Sequence, residues 1–283
     1  MQLNPNALDD IGNATFLGTA ASLAYLPAEE GKTEYESQLG LDAQLITVDN
    51  TQAYVGKNDE NVVVAFRGSE SPTTLDGFKD WLLTNAKNYL ILPEGDLGTD
   101  FVAAGVGCRF HRGFMEALAE IWDPLLEATK PAVRENDRYL WVTGHSLGGA
   151  IALLASWRFK RKYLDVHAVY TFGAPMVGNT ATAEAFGQEF PDRIFRFVDT
   201  QDFVPLLPTV SLTANEYGHC LKEMRLGEAT ESAVSKMQLL AQGLAEQVMN
   251  LTLMDDLWSN VQRAVDAHLM PNYLNGIKEH LEG

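Results

Sequence analysis

Short apolar runs alternate with amphipathic stretches over most of the chain. Runs rich in β-branched and aromatic residues, each closed by Gly, Asp or Pro, predict buried strands at 62–66, 139–143, 166–172 and 194–198. Helical periodicity between them predicts helices at 113–129, 150–162 and 180–190. Strands without alternating polarity, interleaved with helices, are typical of a mostly parallel sheet with helices on both faces. The pattern therefore predicts an α/β fold.

Both ends of the chain also show helical spacing. Near the N-terminus, Pro27 is expected to end an apolar helix whose buried positions are Phe16, Leu17, Ala20, Ala24 and Tyr25. The tail predicts one helix at 237–248 and a second from about 256, which Pro271 would end. We interpret these tail helices as packing on the sheet, with a helical cap insertion at about 228–259 as the alternative. Because no repeat or linker interrupts the pattern, residues 1–283 are expected to form a single domain.

Composition narrows the class of protein. A hydrophobic fraction of 46% and a charged fraction of 21% are ordinary for a folded protein. The net charge of −17 disfavours nucleic acid as a partner, because phosphate binding needs a basic surface. No apolar run is long enough for transmembrane anchoring. The N-terminal stretch lacks the basic residues of a signal peptide, so we expect a protein that is cytoplasmic or exported without a cleaved N-terminal signal.

Two cysteines, Cys108 and Cys220, are too few for a disulfide framework, and the sequence does not decide whether they pair. No metal-ligand spacing is present, so neither a metal nor another cofactor is expected.

The segment from Gly144 to Gly148 gives the clearest indication of catalytic chemistry. It reads Gly-His-Ser-Leu-Gly and lies between a predicted strand and a predicted helix. A serine on a sharp strand-to-helix turn projects its hydroxyl clear of the sheet, and glycines two residues away on each side avoid backbone collisions. The helix dipole and the N–H of Leu147 would stabilise an oxyanion. Ser146 is therefore the candidate nucleophile.

A serine on such a turn is followed along the chain by an acid and then by a histidine. Asp199 and Asp202 both follow the strand at 194–198, and Asp202 is favoured because the apolar residues after it would shelter the carboxylate. Three later histidines compete as the base. His219 lies in an apparent strand at 217–221, His268 near the end of a helix, and His280 in an expected frayed C-terminus.

Several blocks in this order resemble the class 3 lipases, the fungal-type triacylglycerol lipases within the α/β-hydrolase superfamily. The matching segments are 63–69, 80–82, 111–114, 144–150, 171–179, 202–205 and 268–273. The resemblance implies an α/β-hydrolase fold with a lid. It also implies Ser146, Asp202 and His268 as the catalytic triad, and Ser69 with Leu147 as oxyanion donors. Trp81 and Leu82 are then expected beside the lid and, with His145, at the substrate.

The function that follows is that of a serine carboxylester hydrolase, a triacylglycerol lipase or esterase that forms an acyl-enzyme on Ser146. The expected partner is an ester or lipid substrate, met at a lipid–water interface; the oligomeric state stays open. The apolar segment at about 71–98 is interpreted as a lid, with an ordinary packed helix as the alternative. A phospholipase, a feruloyl-type esterase and a catalytically silent binding scaffold are the alternative functions.

Overall fold

The computed structural model describes residues 1–69, 90–202, 204–206, 217–220, 222–227 and 266–282. Its helices are α1 (Ile11–Leu23), α2 (Ala28–Leu39), α3 (Gly95–Phe101), α4 (Arg112–Glu135), α5 (Leu147–Arg161), α6 (Thr180–Glu189) and α7 (Met270–Glu282). Its strands are β1 (Asp42–Val48), β2 (Thr51–Lys57), β3 (Asn61–Phe66), β4 (Leu90–Ile91), β5 (Phe110–His111), β6 (Tyr139–His145), β7 (Val166–Phe172), β8 (Gly178–Asn179), β9 (Ile194–Asp199), β10 (Tyr217–Gly218) and β11 (Lys222–Leu226).

A seven-stranded sheet has the order β1-β2-β3-β6-β7-β9-β11. The β1–β2 and β2–β3 pairs are antiparallel, and the remaining pairs from β3 to β11 are parallel. The four predicted strands are β3, β6, β7 and β9, so the predicted mostly parallel α/β sheet is confirmed. A smaller antiparallel sheet, β10-β8-β5-β4, was not predicted.

Helices cover both faces of the large sheet, which explains why its strands lack alternating polarity. Along β3, Val62, Val64 and Phe66 belong to the core that contains α4 and α5. Val63 and Ala65 point to the opposite core, which contains α1 and α7. Every residue of β3 is buried as a result. The sheet is thus a rigid layer whose strand ends can carry side chains in fixed positions.

The three helices predicted between strands are α4, α5 and α6. Helix α4 runs on through Pro124 and Pro131 to Glu135, beyond its predicted end at residue 129. Helix α5 begins at Leu147, directly after Ser146 and three residues before its predicted start. Nearly all of α5 up to Phe159 is buried, so this helix is held firmly between its neighbours.

Two prolines that were expected to end helices instead lie where helices begin. Helix α1 already ends at Leu23, and Pro27 is the N-cap of α2. Pro271 is the second residue of α7, where its missing N–H costs no intrahelical hydrogen bond. The C-terminus is therefore helical rather than frayed. The tail helix at 237–248, most of the one from 256, and the cap insertion at 228–259 lie outside the described residues.

Within the described ranges, no helix combines the length and apolarity needed to span a membrane. Those ranges also contain no group of three or more His, Cys, Asp or Glu side chains that could hold a metal ion. Cys108 and Cys220 are free thiols, and both are buried.

A buried ion pair stabilises the C-terminal end of α5. The Arg158 Nε lies 2.9 Å from Asp100 Oδ2, and the Lys162 Nζ lies 2.8 Å from Asp100 Oδ1. The Trp157 indole N–H donates to the Asp100 carbonyl over 2.9 Å. Because Asp100 and Arg158 are both nearly inaccessible to water, the carboxylate compensates a buried guanidinium.

Replacing Asp100 with Ala should lower the free energy of unfolding by about 3 kcal/mol, because it leaves the Arg158 charge buried without its partner. Asp165→Ala is the matched control, since it breaks a surface pair with Arg193 in which the carboxylate side chain is 73% exposed. That change should cost less than about 1 kcal/mol. Urea denaturation measures both. Equal losses for the two variants would contradict the structural role of Asp100.

Candidate active site

Ser146 occupies the turn between β6 and α5 in a strained backbone conformation. Its φ of 55° and ψ of −129° are rarely adopted by residues other than glycine. The Ser146 N–H donates to the Phe172 carbonyl over 2.9 Å, which fixes the turn to the end of β7. A Cβ on Gly144 would overlap the Gly148 carbonyl, and one on Gly148 would overlap the Phe66 carbonyl. The predicted strand–turn–helix geometry, including its need for both glycines, is confirmed.

The two residues expected as acid and base meet at the same edge of the sheet. The Nδ1 of His268 lies 2.7 Å from Oδ2 of Asp202, and both side chains are almost completely buried. The other carboxylate oxygen, Oδ1, accepts the Val204 N–H over 2.9 Å. Asp202 follows β9 and His268 precedes α7, so the two come together from positions 66 residues apart.

The hydrogen-bond partners define the tautomer of His268. A carboxylate only accepts hydrogen bonds, so the Nδ1 of His268 must carry a proton and donate it to Asp202. In the neutral ring, Nε2 then carries the lone pair. The pair with Asp202 thus sets the atom through which His268 can act as a base.

Tyr273 supports the same carboxylate from α7. Its hydroxyl donates to Asp202 Oδ2 over 2.6 Å, and the Asp199 N–H donates to the Tyr273 oxygen over 3.3 Å. Burial, reinforced by the Asp202 charge, raises the pKa of Tyr273 well above its usual value, so the phenol stays protonated and remains a donor. No role was predicted for Tyr273, although it lies in the lipase-like block that begins at His268.

The side chains of the rival candidates Asp199 and His219 are not part of this arrangement. The Asp199 carboxylate accepts the N–H of Gln201 over 2.8 Å, and burial raises the pKa of that carboxyl group. His219 follows the two-residue strand β10, and burial lowers the pKa of its ring to about 4. The side chain of His280 lies outside the described residues.

His145 was expected at the substrate, but its ring is only 3% exposed and both nitrogens contact the protein. Its Nε2 lies 2.6 Å from the main-chain oxygen of His268, and its Nδ1 lies 2.8 Å from the hydroxyl of Tyr25. Burial holds the pKa of His145 well below its usual value, so the ring is neutral. His145 therefore connects the serine turn to the main chain of His268 inside the protein.

The expected oxyanion residues flank the serine. Leu147 is the first residue of α5, where helical N–H groups point out of the helix toward the turn. Ser69 follows Gly68, where an added Cβ would lie 3.2 Å from the Ser146 Cβ. Ser69 is thus next to a residue that contacts the serine turn.

The lid prediction at 71–98 falls mostly outside the described residues, as do Trp81 and Leu82. Only its last part is described. There, β4 pairs with β5, and α3 begins at Gly95. The lid itself stays a prediction.

The sheet, its helices and the serine turn define the class as an α/β-hydrolase fold. The class 3 lipase family model matches residues 63–212, which is more than half of the chain. The protein therefore belongs to the class 3 lipase family.

Known relatives agree with this assignment. Secreted mono- and diacylglycerol lipase A of Penicillium cyclopium is 30% identical over 67% of this chain and 56% of its own length. Secreted mono- and diacylglycerol lipase 1 of Fusarium solani is 32% identical over 62% of this chain and 49% of its own length. The chain thus spans about half the length of these curated relatives. The Lip2 lipase of Yarrowia lipolytica has the same fold, with a TM-score of 0.61 and 22% identity over 80% of this chain and 82% of that one.

Replacing Tyr273 with Phe should lower the free energy of unfolding by about 2 kcal/mol, because the buried Asp202 carboxylate loses a donor that no water can replace. Tyr163→Phe is the control, since that side chain is 90% exposed, and its effect should be within about 0.5 kcal/mol. Urea denaturation of both variants provides the measurement. If Tyr273→Phe were as stable as the control, the hydroxyl would not be supporting Asp202.

Proposed function

We propose that the protein is a serine carboxylester hydrolase that acts on acylglycerols through an acyl-enzyme on Ser146. The observation that carries the proposal is the buried 2.7 Å hydrogen bond between His268 and Asp202, at the sheet edge where Ser146 occupies its strained turn. A nucleophile, an oriented base and a buried acid are the three groups that serine esterases require. Membership of the class 3 lipase family supports the same chemistry.

In the first step, Nε2 of His268 takes the hydroxyl proton as the Ser146 oxygen attacks the ester carbonyl. Asp202 accepts the Nδ1–H bond and stabilises the imidazolium that results. The tetrahedral oxyanion receives hydrogen bonds from the Leu147 N–H and from Ser69, and the positive end of the α5 dipole adds to this stabilisation. Collapse of the intermediate returns the proton to the leaving alcohol and leaves an acyl ester on Ser146.

In the second step, water attacks the acyl ester while His268 again serves as the base. The tetrahedral intermediate is held by the same donors, and its collapse releases the fatty acid and restores the Ser146 hydroxyl. Every proton in this cycle moves between Ser146, His268, water and the substrate. No metal or other cofactor is needed for any step.

The names of the relatives favour partial glycerides as the substrate class. The fungal proteins that match this chain over about half of their length are called mono- and diacylglycerol lipases. We therefore propose acylglycerols with a free hydroxyl as the preferred substrates, rather than triacylglycerols.

Replacing Ser146 with Ala should abolish ester hydrolysis while the protein stays folded, because no other hydroxyl occupies the strained turn. The rate with p-nitrophenyl esters is the measurement. Ser156→Ala is the matched control, since it is the same change on α5, where the Ser156 hydroxyl only bonds the Ala152 carbonyl over 2.7 Å. It should keep normal activity. Full activity in Ser146→Ala would refute the role of this serine.

Replacing Ser69 with Ala should lower kcat by about 10²–10³-fold, because it removes a donor to the oxyanion. The change is small and its site is partly exposed, so the melting temperature should stay close to that of the parent protein. Steady-state kinetics with the same esters provide the measurement. An unchanged kcat would show that the Ser69 hydroxyl is not a donor to the oxyanion.

Emulsified mono- and diacylglycerols should be hydrolysed faster than triacylglycerol of the same acyl chain, measured by titration of the released fatty acid. Ser146→Ala provides the background rate. A preference for triacylglycerol would contradict the proposed substrate class. A rate confined to phospholipids or to feruloyl esters would move the substrate outside the acylglycerols altogether.

A further inference from the structure

Tyr25 lies outside the proposed catalytic groups, yet its hydroxyl reaches the turn that holds Ser146. It follows α1, on a segment about 120 residues before His145 in the chain, and lies 2.8 Å from the Nδ1 of that ring. The same hydroxyl lies against Gly68, where an added Cβ would overlap it. One phenol therefore contacts both the residue before the proposed nucleophile and the residue before Ser69.

The direction of each hydrogen bond follows from the chemistry of the partners. The main-chain oxygen of His268 only accepts, so the Nε2 of His145 must carry the proton in their 2.6 Å bond. Because buried His145 is neutral, its Nδ1 then carries the lone pair. Tyr25 must therefore donate its hydroxyl proton to Nδ1. The hydrogen bonds run in one direction, from Tyr25 through His145 to the carbonyl of His268.

The main chain around Tyr25 is held in place by β2. The Gln52 amide donates to the carbonyls of Ala24 and Leu26 over 2.8 and 3.3 Å. The hydroxyl of Tyr54 lies 3.0 and 2.9 Å from the carbonyls of Leu26 and Pro27. Residues on both sides of Tyr25 are thus fixed to a central strand of the sheet. A rigid support of this kind is what allows a hydroxyl to hold another side chain in one orientation.

We propose that Tyr25 is a positioning residue for the ester hydrolysis proposed above: its hydroxyl holds the His145 ring in the orientation in which Nε2–H bonds the His268 carbonyl, and that bond holds the main chain of His268 in place. The carbonyl, which only accepts, sets the tautomer, and the hydroxyl satisfies the buried lone pair that this tautomer leaves on Nδ1. Without the hydroxyl, the ring keeps the Nε2–H form but is no longer held at both nitrogens, so its bond to the carbonyl weakens. The base then loses its fixed position relative to Ser146.

The inference rests on the proposed function, so its test includes a spectroscopic measurement that needs no activity. Two-bond ¹H–¹⁵N spectra of protein labelled at its six histidines distinguish the two neutral tautomers. The His145 signal is assigned by its loss in His145→Gln. In the parent protein, it should report the neutral Nε2–H tautomer, and one-bond spectra should show the Nε2 proton far downfield because of its bond to the His268 carbonyl. In Tyr25→Phe, the tautomer should stay the same, but the Nε2 proton should move upfield as that bond weakens. Nδ1–H in the parent protein, or an unchanged Nε2 proton shift in Tyr25→Phe, would overturn the proposal.

Kinetics test the consequence for the base. In Tyr25→Phe, kcat should fall about tenfold while KM stays within about twofold, because the substrate still binds but the base is misplaced. Tyr35→Phe is the matched control: its buried hydroxyl bonds the Ala20 carbonyl in α1 over 2.6 Å, so it loses a similar bond close in the chain. Its kcat should be normal even if its melting temperature falls. Equal kcat values for the two variants would contradict a positioning role.

His145→Gln separates positioning from general damage. The change removes the ring through which Tyr25 is proposed to act. In the His145→Gln background, Tyr25→Phe should therefore change kcat by less than about twofold. A tenfold loss in both backgrounds would show that Tyr25 acts by another route. If the parent protein hydrolysed no ester, the proposed function would fail, and the histidine spectra alone would decide whether Tyr25 holds the His145 ring.

Discussion

The hydrogen bond between His268 and Asp202 is the interaction on which the site depends. It joins a loop after β9 to the start of α7 in a place that water does not reach, and a carboxylate there must have its donors supplied by the protein. His268, Tyr273 and the Val204 N–H supply them. Because His268 and Tyr273 come from a distant part of the chain, the acid is fully satisfied only when the sheet and α7 are assembled. The chemistry of the site is therefore tied to the completed fold.

The serine turn has a different physical basis, which is local strain held by tight packing. Ser146 keeps a positive φ because β6 and α5 are both buried and because glycines at 144 and 148 let neighbouring carbonyls approach closely. Strain concentrated at one residue needs a rigid surrounding structure. The ion pair of Asp100 with Arg158 holds the far end of α5, and the N-terminal segment at Tyr25 contacts the turn from the other side. Both ends of the chain thus contribute to one small site.

The sequence predicted the parts of the site that depend on residues close together in the chain. The strand, the Gly-x-Ser-x-Gly turn and the helix are contiguous, and Asp202 could be ranked above Asp199 from the apolar residues that follow it. The link from Tyr25 to His145 could not be predicted, because nothing at either position signals a partner so far along the chain. Pro27 and Pro271 were misjudged for another reason: proline is common both after a helix and in its first turn, and pattern alone does not separate the two. The strands of the second sheet, each only two residues long, leave no periodicity to detect.

The central claim is that Ser146 forms a covalent acyl-enzyme. The most direct test is mass spectrometry of the protein after reaction with a p-nitrophenyl phosphonate, which traps an activated serine as a stable adduct. We predict one adduct per chain, on the peptide that contains Ser146, and a much slower reaction when Asp202 is replaced by Asn, because the base then loses its orientation. An adduct on another residue, or an equal rate in the Asp202 variant, would contradict the account.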